Sequence, residues 1–278
     1  METAPSQNDM TIKNNPLLTR LAQWSIARGA TPNMISCAGL VAACAAAACL
    51  AVGAGHAPPW ETGPRGQPHS LWPAAAGLLM LVAGILDLLD GAVARNGNLQ
   101  TRFGGVLDST LDRFGDMAVL LGCSLYFARA GNLTYVLLSG LALVWIVQIS
   151  YVKARAEAFV EDLGVGFWQR GERTVAFILG GLSGHVATVL WILALLPPFT
   201  VARRLIHAWR LLSGDPAAPA GSFVPPWRGP RGAPGYVAVC LLLAALIVLG
   251  PHVHGTLGAS ADPFGTFLAG TRTVAAAP

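Results

Sequence analysis

The stretch that decides this protein is residues 87–112, DLLDGAVARNGNLQTRFGGVLDSTLD. It places four aspartates inside two otherwise apolar runs. Asp87 and Asp90 are three apart and Asp108 and Asp112 four apart, so each pair shares one face of a helix. Asn96-Gly97 marks a turn between the runs. Two short-linked antiparallel helices then bring both pairs toward one pocket. An isolated charge at the centre of a membrane helix is unfavourable by roughly 2.5–3.5 kcal/mol, and clustered carboxylates repel one another. Something positive must compensate. Carboxylate-only ligation suits a hard ion, Mg2+ or Mn2+. Two such ions would suit displacement at phosphorus. Gly91, Ala94 and Gly104 leave room for a flat or charged ligand against the backbone, and Arg95, about one turn beyond Asp90, can contact phosphate oxygens. The alternative is a set of interhelix salt bridges to Arg95, Arg102 and Arg113. Four acids at paired spacing with glycines between them favour function, the default for ionisable groups in a span.

Working outward, the chain is 54% hydrophobic and 12% charged, half the charge of a soluble domain, which points to a lipid bilayer. Its net charge of +4 does not imply nucleic acid, because the basic residues cluster beside apolar segments. Abundant Gly and Ala suit closely packed membrane helices. Residues 1–13 read as disordered, with no signal-peptide core, and 14–28 as an interfacial helix. Apolar spans are expected over about 33–53, 71–95, 104–128 and 133–156. Cys37, Cys44, Cys49, Cys123 and Cys240 lie in apolar runs without a zinc or disulfide pattern, and the near pair His252/His254 is no metal site.

Beyond Arg173 two readings compete. A single span over 174–196 would leave Arg203, Arg204 and Arg210 outside. A short span over 168–184, a turn at Ser183-Gly184 and a sixth span over 186–212, kinked at Pro197-Pro198, would bring them inside. Charge bias selects the second. All of the 18 Lys/Arg except Arg65, Arg129 and Arg272 then fall on the inner side. The fold expected is all-α: a polytopic bundle of six core transmembrane helices with an interfacial helix. A Pro/Gly-rich linker (213–235) precedes a candidate seventh span and tail (236–278).

The acids, glycines and Arg95 carry a resemblance. Asp87, Asp90, Gly91, Ala94, Arg95, Gly104, Asp108 and Asp112 reproduce D-x2-D-G-x2-A-R-x8-G-x3-D-x3-D, so the chain resembles the CDP-alcohol phosphatidyltransferase family over about residues 14–212. The resemblance implies a multi-pass cell-membrane enzyme that forms a homodimer and whose site faces the cytoplasm. Asp87, Asp90, Asp108 and Asp112 would hold the metal ions, and Asp112 would also act as general base. Gly91, Ala94, Arg95 and Gly104, with Thr31 and Pro32, would form the CDP-diacylglycerol site. An alcohol oxygen would attack the β-phosphorus and release CMP.

Three features bear on the small polar acceptor. LDSTLDRFGD (107–116) resembles members that use inositol phosphate. Ser150–Glu157 is similar to a segment of bacterial phosphatidylinositol-phosphate synthases. Glu172-Arg173 and Arg203-Arg204 fall where those enzymes carry basic residues. Lys153, Arg173 and Arg204 are therefore expected to bind the phosphate of inositol 1-phosphate. The same reaction on glycerol 3-phosphate is the alternative, and a cation transporter a distant one. Asp116 is read as a supporting acid that could pair with Arg113. Arg155 and Arg170 are read as solvated or headgroup contacts. Trp24, Trp60, Trp72, Trp168 and Trp227 are read as interfacial anchors, and Gly180-Gly181 as a close helix contact.

Overall fold

The computed structural model describes residues 16–53, 56, 58–60, 69–129, 131–160, 163, 165–213 and 234–253. Their regular elements are all helices: α1 (Pro16–Ala27), α2 (Pro32–Gly53), α3 (Trp72–Asn96), α4 (Arg102–Arg129), α5 (Leu133–Ala156), α6 (Arg170–Ser183), α7 (Val186–Leu195), α8 (Pro197–Leu212) and α9 (Pro234–Val253). The expectations for residues 1–13, for most of the 213–235 linker, for Trp227 and for the tail beyond Val253 lie outside the described residues.

Local chemistry sets the helix ends. Pro73 occupies the first turn of α3, where its missing N–H is not needed. Asn132 caps α5, its side-chain oxygen accepting from the Tyr135 N–H at 3.4 Å. The turn after α3 lies where Asn96-Gly97 places it, but the left-handed residue is Asn98 (φ 52°), not Gly97. Gly184, at φ 80°, ends α6 and reverses the chain into α7. The two-helix reading of this region therefore holds. The kink falls at the prolines as expected, at Leu196-Pro197, where proline breaks the hydrogen-bond ladder between α7 and α8.

Among the described residues, four stretches are long and apolar enough to cross a membrane: Pro32–Gly53, Trp72–Asn96, Leu133–Ala156 and Val186–Leu212. α4 has 28 residues, about 42 Å at 1.5 Å per residue, but carries Asp108, Asp112 and Asp116 within its first 15 residues. α6 has 14 residues, fewer than the ~20 that span alone.

α2 packs on α3 and α4, α3 on α6, and α5 on α4, α7 and α8, while α1 lies against α3. Ala22 of α1 shares a small apolar cluster with Ile35, Ala92 and Val93. Small residues permit the closest approaches. A Cβ on Gly181 would stand 2.7 Å from Gly77 Cα, and one on Gly122 would stand 2.3 Å from the Ala47 carbonyl oxygen. The Gly180-Gly181 pair is thus a helix contact, as its sequence suggests. Large apolar side chains cover the outside, among them Val41, Leu78, Leu121 and Leu137, each more than half exposed. That surface suits lipid rather than water. Trp24, Trp60 and Trp72 are exposed, whereas Trp168 is buried in the core and is not an interfacial anchor.

Candidate active site

α3 supplies Asp87 and Asp90 and α4 supplies Asp108 and Asp112, all near the turn that joins the two helices. One carboxylate oxygen each from Asp87, Asp90 and Asp108 lies within 4.8 Å of the others. α2 adds Ser36, whose hydroxyl donates to Asp90 Oδ2 at 2.6 Å. Asp108 Oδ1 is buried and has no hydrogen-bond partner among the described residues. A buried, unsatisfied carboxylate oxygen beside two other carboxylates is the environment a cation satisfies. The all-oxygen donor set fits a hard divalent ion.

The fourth acid is held differently. Arg170, at the start of α6, donates to Asp87 and pairs with Asp112 Oδ1 at 2.8 Å. Its reading as a solvated or headgroup cation is corrected: it is the guanidinium that ties the acids of α3 and α4 together. One helical turn further, Arg173 pairs with Asp116 at 2.6 Å, both groups buried. Asp116 therefore joins Arg173 rather than Arg113, which donates to the Ser109 carbonyl of its own helix. Asp112 and Asp116 are four apart and Arg170 and Arg173 three apart, so spacing puts each pair on one helix face, but only the fold sets the two faces opposite each other. If ionised, the four motif acids and Arg170 leave three negative charges for other cations. The salt bridges weighed in the sequence, to Arg95, Arg102 and Arg113, do not form among the described residues; Arg170 is the arginine that pairs with the motif acids there.

Two recesses meet at this cluster, and Ser36 and Asp90 line both. The first is bounded by Pro32, Gly91, Ala94 and Gly104, together with Asn33 and Thr101. Two helix N-termini face it. Thr101 Oγ1 accepts from the Gly104 N–H at 2.9 Å at the head of α4. Thr31 does the same for the Met34 N–H at the head of α2, at 3.3 Å. Arg95 is exposed and folds over Gly91, its Nη1 3.1 Å from where a Cβ would sit. Sequence reasoning missed Ser36, Asn33 and Thr101, because lone hydroxyl and amide side chains carry no spacing signal. The second recess holds Asp87, Asp112, Asp116 and Arg170.

The three cations expected to bind phosphate stand beyond this second recess. Arg173 and Arg204 are each 3% exposed. Arg173 also donates to the Trp168 carbonyl at 3.3 Å. Arg204 donates to the carbonyls of Val165, at 2.9 Å, and Ile149, at 2.5 Å. Lys153 is half-exposed on α5 and pairs with Glu157 at 3.6 Å.

The sequence pattern that defines CDP-alcohol phosphatidyltransferases matches residues 30–213, two-thirds of the chain and the whole of this site. The chain belongs to the CDP-alcohol phosphatidyltransferase family. It is therefore a phosphotransferase, and its apolar helices make it a multi-pass membrane protein. An archaetidylinositol phosphate synthase of Methanothermobacter thermautotrophicus is 35% identical over 204 residues, 71% of this chain and 93% of that protein. A phosphatidylinositol phosphate synthase of Mycolicibacterium smegmatis is 35% identical over 238 residues, 77% of this chain and 98% of that protein. The crystal structure of the Mycobacterium tuberculosis phosphatidylinositol phosphate synthase with CDP-DAG bound superimposes with a TM-score of 0.58 at 27% identity, covering 76% of this chain and all of that one. The same enzyme in complex with manganese and citrate gives a TM-score of 0.55 over 75% of this chain and 94% of that one, also at 27% identity. The transferase thus shares its fold with an enzyme whose structures hold a CDP-lipid and a divalent metal.

Proposed function

We propose that this transferase moves the phosphatidyl group of CDP-diacylglycerol to the hydroxyl of inositol 1-phosphate, forming phosphatidylinositol phosphate and CMP. The observation that carries the reading is an acid cluster that stands between two recesses of different character, with Asp90 and Ser36 lining both. On one side, two helix N-termini and the small residues Gly91, Ala94 and Gly104 suit a nucleotide diphosphate. On the other, arginines gather behind Asp112. Arg173, paired with Asp116, lies within electrostatic reach of Arg204, and a phosphomonoester dianion is the charge that such guanidiniums attract. The two relatives described are named for different lipids but share inositol phosphate in their names, which supports that acceptor.

In this reading Asp87, Asp90 and Asp108, with Asp112 at the edge, hold Mg2+ or Mn2+, which when bound neutralises the diphosphate and the departing CMP. Gly91, Ala94, Arg95, Gly104, Thr31 and Pro32 hold the CDP end of the donor. Lys153, Arg173 and Arg204 direct the acceptor's phosphate, and so its hydroxyl, toward Asp112. Arg170 fixes Asp112 Oδ1 and leaves the other carboxylate oxygen to take a proton. The acceptor oxygen attacks the phosphorus that carries diacylglycerol. The new P–O bond forms as the bond to CMP breaks, and the hydroxyl proton passes to Asp112.

The test is CMP release by the purified protein with CDP-diacylglycerol and Mg2+, offered inositol 1-phosphate, inositol, glycerol 3-phosphate or serine, each with an EDTA control. EDTA-sensitive release with inositol 1-phosphate is expected, and Asp112→Asn should abolish it while CDP-diacylglycerol still binds. Release with glycerol 3-phosphate alone would discard the acceptor. Ion flux without CMP release would discard the reaction itself.

A further inference from the structure

α9 lies outside residues 30–213, yet it packs along α6 and α7. Two polar ties fix it there. Near its start, the Tyr236 hydroxyl donates to Glu172 Oε1 at 2.5 Å. Further along, the carbonyl of buried Ile247 accepts from the buried His185 Nδ1–H at 2.9 Å. The first tie lands between the two arginines that pair with acids of α4, since Glu172 stands between Arg170 and Arg173 in the opening turn of α6.

The Tyr236 ring also reaches the segment before α6. It packs on Phe167, with centroids 5.6 Å apart, and Phe167 meets Trp168 edge-on at 5.2 Å. This segment supplies carbonyls to both buried arginines: Val165 O accepts from Arg204 and Trp168 O from Arg173. One side chain of α9 therefore braces the two pieces of backbone that orient Arg170, Arg173 and Arg204. The recess of small residues, by contrast, is built from α2, α3 and α4 and the turn between α3 and α4, none of which is a main contact of α9.

We infer that Tyr236 is a positioning residue through which α9 sets the acceptor side of the site and leaves the donor side alone. The inference rests on assigning the arginine side to the acceptor. Its signature is a split between the two substrates, which a general structural prop would not give.

The experiment uses the full chain carrying Tyr236→Phe, Tyr236→Ala, Glu172→Gln, the double variant Tyr236→Phe/Glu172→Gln, and Leu242→Ala as a control on the exposed face of α9. The wild-type acceptor is first identified from the panel of alcohols, and KM for that acceptor and for CDP-diacylglycerol is then measured in every variant. Tyr236→Phe keeps the ring and removes only the hydroxyl. It should raise the acceptor KM roughly threefold to tenfold, the range that coupling through packed elements allows, and leave the donor KM and the Leu242→Ala control at wild-type values. The double variant should add little to Tyr236→Phe alone, because Glu172→Gln only weakens the hydrogen bond that Tyr236→Phe removes. An unchanged acceptor KM in Tyr236→Phe and Tyr236→Ala overturns the inference, as does an equal rise in both KM values. A wild-type preference for an alcohol without phosphate would overturn the phosphate pocket, while the same acceptor-to-donor comparison would still decide the role of Tyr236.

Discussion

Arg170 sits where two demands on the site conflict. It holds Asp112, the general base of the proposed reaction, and it also occupies Asp87, a residue of the three-acid cluster. A guanidinium beside a cation site lowers the site's affinity for metal, while a fixed carboxylate raises the chance of productive proton transfer. Arg170→Ala should therefore push two observables in opposite directions. The Mg2+ concentration for half-activation should fall about tenfold, a change within the strength of one hydrogen bond to a charged group, and kcat should fall by at least about tenfold. A Mg2+ titration of CMP release reads both, and Mn2+ binding followed by electron paramagnetic resonance checks the first without turnover. Weaker metal binding in the variant would sink this account. Arg170→Lys should not restore kcat, because an ammonium cannot bridge two carboxylates in the fixed geometry of a guanidinium. The acids themselves were legible in the sequence, because helical spacing alone puts them on one face. Arg170 was not, because its partner Asp87 lies 83 positions away, and a cation near an inner helix end has an ordinary explanation in the charge bias of membrane proteins.

α6 is the element that delivers Arg170 and Arg173, and its position depends on a backbone contact with α3. A methyl on Gly181 would meet Gly77 Cα and N at 2.7 Å and the Pro73 carbonyl oxygen at 2.8 Å. Backbone cannot rotate away as a side chain can, so the two helices would have to part. Gly181→Ala should destabilise the protein by about 1–3 kcal/mol, the usual range for overpacking, and lower turnover as α6 shifts. Gly140 on α5 has open space at the same atom. Gly140→Ala should be neutral or stabilising by up to about 1 kcal/mol, because alanine favours the helix. Unfolding midpoints in detergent, alongside CMP release, compare the two, and a wild-type midpoint for Gly181→Ala would contradict the contact. Most helices were readable from apolar runs and their breakers: Pro73, Gly184 and Pro197 all act near where the sequence puts them. The docking of α9 was not readable, since Tyr236 and Ile247 reach Glu172 and His185 through contacts that no periodicity announces. Nor was the burial of Trp168, whose indole looks the same in sequence whether it faces lipid or core.

At the scale of the whole molecule, the bilayer orientation must place the acid cluster on one defined side. Composition made the membrane legible, and the exposed leucines and valines of the bundle agree with it. The side rests on charge alone: the sequence reading expects all of the 18 Lys/Arg except Arg65, Arg129 and Arg272 on the side of the turn between α3 and α4. α4 offers the sharpest test, because it is the span that hydropathy supports least. Its 28 residues separate Gln100, just before its start, from Arg129, at its end, by about 42 Å, more than the ~30 Å of a hydrocarbon core. Both side chains are exposed. With the five native cysteines replaced by alanine, Gln100→Cys and Arg129→Cys can each be offered a membrane-impermeant thiol reagent in intact cells and after lysis. Arg129→Cys should react in intact cells, and Gln100→Cys only after lysis, which would put the aspartates on the cytoplasmic side, where soluble phosphorylated alcohols are available. The opposite pattern would invert the protein and turn the charge argument over. Reaction of both positions from the same side would mean that α4, with its acids, does not cross the membrane at all.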